Sequence, residues 1–204
     1  MFDIRTLRLL AITDDLRDGP EGLVGRAAAA VRGGATMIQL RLKDADARTL
    51  VEVARALVAT LTVPVVVNDR MDVALAAGAA GVHLGTDDLP VAAVRAIAPA
   101  AFVIGASVGS DAELPSASGA DYVGIGPVFG TPSKSDAGAP IGEAEFARLA
   151  HRCGVPAVAI GGITAESATA LIASGASGVA VIRAILGAPD PEGAARAFGS
   201  ATGR

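Results

Sequence analysis

Eight short runs of β-branched and apolar residues, separated by alanine-rich stretches of helical spacing, constrain this chain more than any other feature. The runs lie at 7–13, 36–41, 64–69, 81–84, 102–107, 122–126, 157–162 and 178–182. They are nearly continuous in apolar character, the pattern of strands buried on both faces of a parallel sheet. Stretches such as ARTLVEVARALVATL and AESATALIASG read as the helices between them. A weak repeat runs through the chain. GGATMIQL, AGAAGVHL, SGADYVGI and SGASGVAV each place Gly and Ala, two variable residues, then a strand. Their glycines, Gly34, Gly78, Gly119 and Gly175, suit the residue after a helix, where the backbone turns left-handed and a Cβ would clash. These units lead into strands 2, 4, 6 and 8. Eight β–α units without a linker predict an α/β fold, one closed (β/α)8 barrel domain over residues 1–204. A doubly wound open sheet is the alternative, and the two-unit period with eight strands favours closure.

Composition narrows the function. The chain is 51% apolar, which excludes disorder, yet Gly or charge breaks every apolar run before the roughly 20 residues of a membrane span. The opening MFDIRTLRLLAITDD lacks the n-region and cleavage site of a secretory signal. A cytoplasmic protein with no membrane association is expected. Cys153 is the one cysteine, and with two histidines it cannot build a usual structural zinc site. A net charge of −4 and 3% aromatic residues supply neither a basic face nor stacking platforms for nucleic acid.

Four rare residues mark the expected site. The chain has 17 basic residues, but Lys43 and Lys134 are its two lysines; Gln39 is its one glutamine and Asn68 its one asparagine. In a (β/α)8 barrel the chemistry sits at the C-terminal ends of the strands. All four residues fall there. Gln39 and Arg41 share one strand face, and Lys43 follows on that side if the chain stays extended. Gln, Arg and Lys converging in a barrel mouth suit a phosphate or pyrophosphate. The plainer reading is a solvated strand end with Arg41 paired to Asp44. Asp69 and Asp88 follow neighbouring strands, close enough to share a hard cation such as Mg²⁺. They also suit helix N-caps. His83, within strand 4, reads as a packed or supporting histidine rather than a catalytic one. Gly161 and Gly162 end strand 7 before a helix capped by Thr164, and strand 8 ends at Ile182 and Arg183. Loops 7 and 8 with a helix N-terminus form the common phosphate site of such barrels. Two anionic subsites result, one with the cations and acids, the other mostly backbone.

The stretch GPVFGTPSKSDAGAPIG, residues 126–142, is far longer than the usual connection of about 2–6 residues. Lys134 lies at its middle. Gly130, Gly138 and Gly142 permit backbone change and Pro132 stiffens the part carrying the lysine. The stretch reads as a mobile lid over the barrel mouth.

At these residues the chain resembles the thiamine-phosphate synthase family, which includes thiazole-tautomerase relatives. LLAITDD, IQLRLKD, VNDRMDVALAAGAAGVHLGTDDLP, IGASVGS, DYVGIGPVFGTPSKSDA, AIGGIT and GVAVIRAI carry the resemblance in order over nearly the whole chain. It implies a Mg²⁺-dependent transferase of thiamine biosynthesis. Such an enzyme joins hydroxymethylpyrimidine pyrophosphate to hydroxyethylthiazole phosphate by a dissociative route through a pyrimidine cation. By matching motif, Gln39, Arg41, Lys43, Asn68, Ser107 and Lys134 would serve the pyrimidine pyrophosphate. Catalysis would fall to Lys134, Lys43, Arg41 and Ser107, and Asp69 and Asp88 would bind Mg²⁺. Thr131, Ser133 and the backbone of Gly162, Ile182 and Arg183 would hold the thiazole phosphate. The family's usual Pro-Thr-x-Thr-Lys reads Gly130-Thr131-Pro132-Ser133-Lys134 here. Leu10 stands where a tyrosine is common in the synthase, and Thr86 where a glutamine is common. Gly109 stands where the tautomerase has its characteristic histidine, which favours the synthase. The tautomerase is the second reading and a non-catalytic, regulatory phosphate-binding barrel the third. A homo-oligomer is compatible with all three.

Overall fold

The computed structural model describes residues 2–13, 15–131 and 138–199. Eight strands form the inner layer: β1 Leu9–Ile12, β2 Met37–Leu40, β3 Val65–Asn68, β4 Gly81–Leu84, β5 Val103–Val108, β6 Tyr122–Ile125, β7 Ala157–Ile160 and β8 Gly178–Val181. Each pairs in parallel with the next, and β8 returns to β1 through Leu9↔Val179, Leu10↔Ala180 and Ala11↔Val181, closing the barrel. The closed eight-stranded (β/α)8 architecture is the one expected from the repeat.

Among the described residues seven helices surround it: α1 Gly19–Gly33, α2 Ala47–Thr60, α3 Met71–Ala77, α4 Val91–Ile97, α5 Gly142–Arg152, α6 Ala165–Ala173 and α7 Pro191–Gly199. The alternation departs from expectation between β5 and β6. There a 3₁₀ segment, Asp111–Ala117, replaces a helix and contains Pro115. Proline offers no N–H to an α-helical ladder, and the short segment keeps the tighter winding. Among the described residues no helix is long and apolar enough to cross a membrane.

Strand periodicity divides the core in two. Leu9 and Ala11 of β1 face the helices with Ile38, Leu40, Val65 and Val67. Leu10 and Ile12, one residue out of phase, face inward with Met37, Val66, Tyr122, Val158 and Ala180. The repeat glycines behave as their spacing suggests: Gly34, Gly78, Gly119 and Gly175 all have positive φ.

Helices α1 and α7 meet where the two ends of the barrel join. A Cβ on Gly33 would lie 2.2 Å from the carbonyl oxygen of Glu192, so α1 approaches α7 only because Gly33 has none. Arg32 and Glu192 pair at 2.9 Å beside that contact. Gly25, on the exposed side of α1, has open space around it and an ordinary helical φ. The two glycines should respond oppositely to alanine in urea or thermal unfolding. Gly25→Ala should stabilise by about 0.5–1 kcal/mol, because glycine loses more backbone freedom on folding. Gly33→Ala should destabilise by roughly 1–3 kcal/mol, the scale of overpacking. Equal responses would contradict the close approach of the two helices.

Candidate active site

The C-terminal ends of the strands surround a cavity of about 620 Å³. Gln39, Arg41, Asn68, Ser107, Thr131, Gly162, Ile182 and Arg183 all line it. A recess of about 410 Å³ shares Arg41 and Asn68 with the cavity and adds Lys43, Asp69 and Asp88. Those of the residues expected at two anionic subsites that are described converge on one mouth. Ser133 and Lys134 lie outside the described residues, and so does the central part of the expected lid.

Arg41 is the most unusual member. It is 7% exposed, and among the described residues its Nε meets no hydrogen-bond partner and no carboxylate pairs with its guanidinium. The proposed pairing with Asp44 is not formed. Thr13, fully buried at the end of β1, holds the residue in place. Its hydroxyl accepts from the Arg41 N–H at 2.8 Å and meets the Arg41 carbonyl at 3.0 Å, while its own N–H donates to the Gln39 carbonyl. Thr13 was not among the sequence candidates; its one signal was a polar residue closing an apolar run. Lys43 does not continue the strand direction. β2 stops at Leu40, the chain turns at Lys43 and Asp44, and Lys43 faces the recess rather than the main cavity.

Neither aspartate caps a helix. The N-cap residue of α3 is Arg70 and that of α4 is Pro90. Asp69 adopts φ 64°, the one positive φ among the described non-glycine residues, with its N–H donated to the His83 carbonyl at 2.8 Å. Aspartate tolerates this left-handed turn better than most residues. Asp88 folds one oxygen, Oδ2, back onto the Gly85 N–H at 2.6 Å. Arg70, next to Asp69, is drawn aside into a two-point pair with Asp72 at 2.8 and 2.5 Å. That pairing holds the Asp72 carboxyl below its ordinary range.

On the opposite wall, Gly161 and Gly162 have φ of 98° and 64°. A Cβ on Gly161 would lie 2.6 Å from Pro127, and one on Gly162 would lie 2.7 Å from the Gly130 carbonyl. The pair is thus required both by its backbone and by the close passage of the long loop. Thr164 caps α6, as expected, in a reciprocal box with Ser167. The loop itself is anchored at its base. Val128 and Phe129 donate to the carbonyls of Ile160 and Gly161, and Ile141 and Gly142 donate to those of Pro127 and Val128.

Between the walls, His83 spans two side chains. Its Nδ1 lies 3.0 Å from the Tyr122 hydroxyl and its Nε2 lies 3.1 Å from Ser107 Oγ. Tyr122 is fully buried, which pushes its phenol far above the ordinary range, with the charge of Asp121 adding to the effect. Glu113, also unanticipated, lines the cavity while accepting from the Gly109 N–H at 2.7 Å and the Ser110 hydroxyl at 3.1 Å. It fixes the turn after β5.

The model of the family described as thiamine monophosphate synthase matches residues 9–185. The chain belongs to the thiamine monophosphate synthase family. A thiamine-phosphate synthase of Roseiflexus castenholzii is 47% identical over 192 residues, covering 92% of this chain and 84% of the relative. One from Azorhizobium caulinodans is 48% identical over 196 residues, covering 93% and 92%. The solved thiamine phosphate pyrophosphorylase of Pyrococcus furiosus superposes with a TM-score of 0.86 at 37% identity, covering 98% of this chain and 96% of that one. A 3-hexulose-6-phosphate synthase structure, at 21% identity and a TM-score of 0.74, shares the fold.

The guanidinium of Arg41, which pairs with no carboxylate among the described residues, makes a definite prediction. A buried, unpaired charge costs stability, and removing it relieves that cost. Arg41→Met should therefore unfold at an equal or higher temperature than the parent protein. Inorganic pyrophosphate should raise the melting temperature of the parent and not that of the variant. A variant that melts much lower, or that pyrophosphate still protects, would contradict this account of Arg41.

Proposed function

We propose that the protein acts as a thiamine-phosphate synthase, coupling hydroxymethylpyrimidine pyrophosphate to hydroxyethylthiazole phosphate with release of pyrophosphate. The carrying observation is the buried Arg41, without a carboxylate partner among the described residues, beside Asp69 and Asp88 at the mouth of a family-typical barrel. An anion would satisfy that arginine, and two carboxylates beside an anion call for a cation between them.

Mg²⁺ suits these donors. Among the described residues no group of three or more His, Cys, Asp or Glu could hold a metal, so an all-protein cage is not what this mouth offers. Mg²⁺ typically takes one or two carboxylates and fills its shell with water and substrate phosphates. Asp69 and Asp88 would hold it, and when bound it would neutralise charge on the leaving pyrophosphate.

The chain's own residues do the rest. Gln39, Arg41, Lys43, Asn68, Ser107 and Lys134 bind the pyrimidine pyrophosphate. Thr131, Ser133 and the backbone of Gly162, Ile182 and Arg183 hold the thiazole phosphate. The carbon–oxygen bond to pyrophosphate breaks first and leaves a pyrimidine cation. The thiazole nitrogen then supplies the electron pair of the new carbon–nitrogen bond. No proton need be removed from the nucleophile, so cationic and hydrogen-bonding groups aimed at the leaving oxygens carry the catalysis.

The direct test is incubation with both substrates and Mg²⁺. Pyrophosphate with thiamine phosphate supports the proposal. Thiazole aromatisation without pyrophosphate, or saturable binding without turnover, would overturn it.

Two sets of variants probe the residues. Asp69→Asn keeps a side chain that tolerates the left-handed turn, and Asp88→Asn keeps an oxygen for the Gly85 N–H. Each should fold normally and lose about 10²-fold in Mg²⁺-dependent activity, a scale typical of lost charge stabilisation. Full activity of the parent or of either variant in EDTA would refute the metal role. Lys134→Met should leave thermal unfolding unchanged and lower kcat by roughly 10²–10³-fold. Lys134→Arg should recover only part, since a planar fork does not replace a compact ammonium. A wild-type kcat in Lys134→Met would remove the lysine from the mechanism.

A further inference from the structure

The polar chain from Tyr122 through His83 to Ser107 runs from the dry interior of the barrel to the cavity floor. His83, Gly105 and Tyr122 sit level on β4, β5 and β6, in register as His83↔Gly105 and Gly105↔Tyr122. Two residues further along, Ser107 is level with Gly124. A Cβ on Gly105 would lie 2.3 Å from the Tyr122 ring and 2.5 Å from His83 Nδ1; one on Gly124 would lie 3.2 Å from the His83 ring. Two inward-facing strand positions are thus left without side chains, and the imidazole occupies the room. His83, Ser107 and Gly124 line the cavity, whereas Tyr122 is 0% exposed and stacks on Phe2 with centroids 6.2 Å apart.

Hydrogen-bond accounting then sets the protons. A buried phenol O–H needs an acceptor, and among the described residues its one polar partner is His83 Nδ1. If Nδ1 carried a proton, Tyr122 would have to accept and its own hydrogen would be stranded in an apolar pocket. Tyr122 therefore donates, Nδ1 accepts, and the ring proton resides on Nε2. Nε2–H donates to Ser107 Oγ. With that lone pair engaged, the serine's own hydrogen is left to point into the cavity.

We propose that Tyr122 and His83 are positioning residues that lock the Nε2–H tautomer and so make the Ser107 hydroxyl a hydrogen-bond donor toward the anionic group bound at the cavity floor. This deepens the role proposed for Ser107 above and rests on it. Neither Tyr122 nor His83 gives up a proton in the reaction. Their contribution is to spare the serine from choosing its orientation when charge develops on the leaving oxygen.

The chain contains two histidines, His83 and the exposed His151, so ¹⁵N-histidine labelling gives a spectrum in which each is separable. Long-range proton–nitrogen correlations at neutral pH should show His83 as the Nε2–H tautomer. Tyr122→Phe keeps the ring and its stacking on Phe2 but removes the donor. It should move the His83 nitrogens toward a tautomer mixture and lower kcat about 5- to 10-fold, the scale of one hydrogen bond. KM for both substrates should stay within about twofold, because the effect is on the developing charge. In a Ser107→Ala background, Tyr122→Phe should cost nothing further. A His83 in the Nδ1–H form in the wild-type protein overturns the proposal without need of any variant. Unchanged nitrogen shifts in Tyr122→Phe, or an equal loss of kcat with and without Ser107, overturns it as well. The nitrogen shifts read the lock itself, whereas Ser107→Ala alone reads the serine's role in turnover, so failure of one is told apart from failure of the other.

Discussion

The seam between β1 and β8 is the contact on which the remaining architecture depends. It joins strands from opposite ends of the chain, and without it both would be open edges. The seam is tight. A Cβ on Gly178 would lie 1.7 Å from the Leu7 carbonyl oxygen, and Gly33 makes the same allowance between α1 and α7 outside the barrel. The other edge of β1 shapes the mouth. Once β1 is fixed against β2, Thr13 reaches the backbone of Gln39 and Arg41 and presents both residues to the mouth.

The price of that presentation falls on the core. Arg41 is held among buried residues with no carboxylate partner in the described structure. A fold whose total stability is about 5–15 kcal/mol can carry such a cost only with a large surplus of burial elsewhere. The two apolar layers of the barrel supply it. Stability is generated in those two layers, and the polar groups of the cavity gather at one rim.

The barrel was legible in the sequence because its signals are local. Apolar runs, alanine-rich spacers and post-helical glycines each report on their own segment, and the strands fall within a residue or two of the expected runs. Gln39, Arg41, Asn68, Asp69 and Asp88 could be gathered because strand ends share one face of any such barrel. What escaped depends on contacts between segments. The turn that sends Lys43 into the recess, the grip of Thr13 and the brace by Glu113 leave no periodic trace. The pairing of His83 with Tyr122 is harder still to foresee. It depends on side chains that are absent, at Gly105 on the strand between the two partners and at Gly124 two residues beyond Tyr122 on its own strand.

The anchored base of the long loop has a consequence for how this family can vary. The bonds from Ile141 to Pro127 and from Gly142 to Val128 tie its two ends together before α5 begins. These bonds close the segment between them into a loop at the rim. Each doubling of such a loop costs only about 0.6 kcal/mol of closure entropy. Residues can be gained or lost inside it while β6, β7 and α5 keep their places. The length and sequence of that loop can therefore change at a rate the strands could not survive.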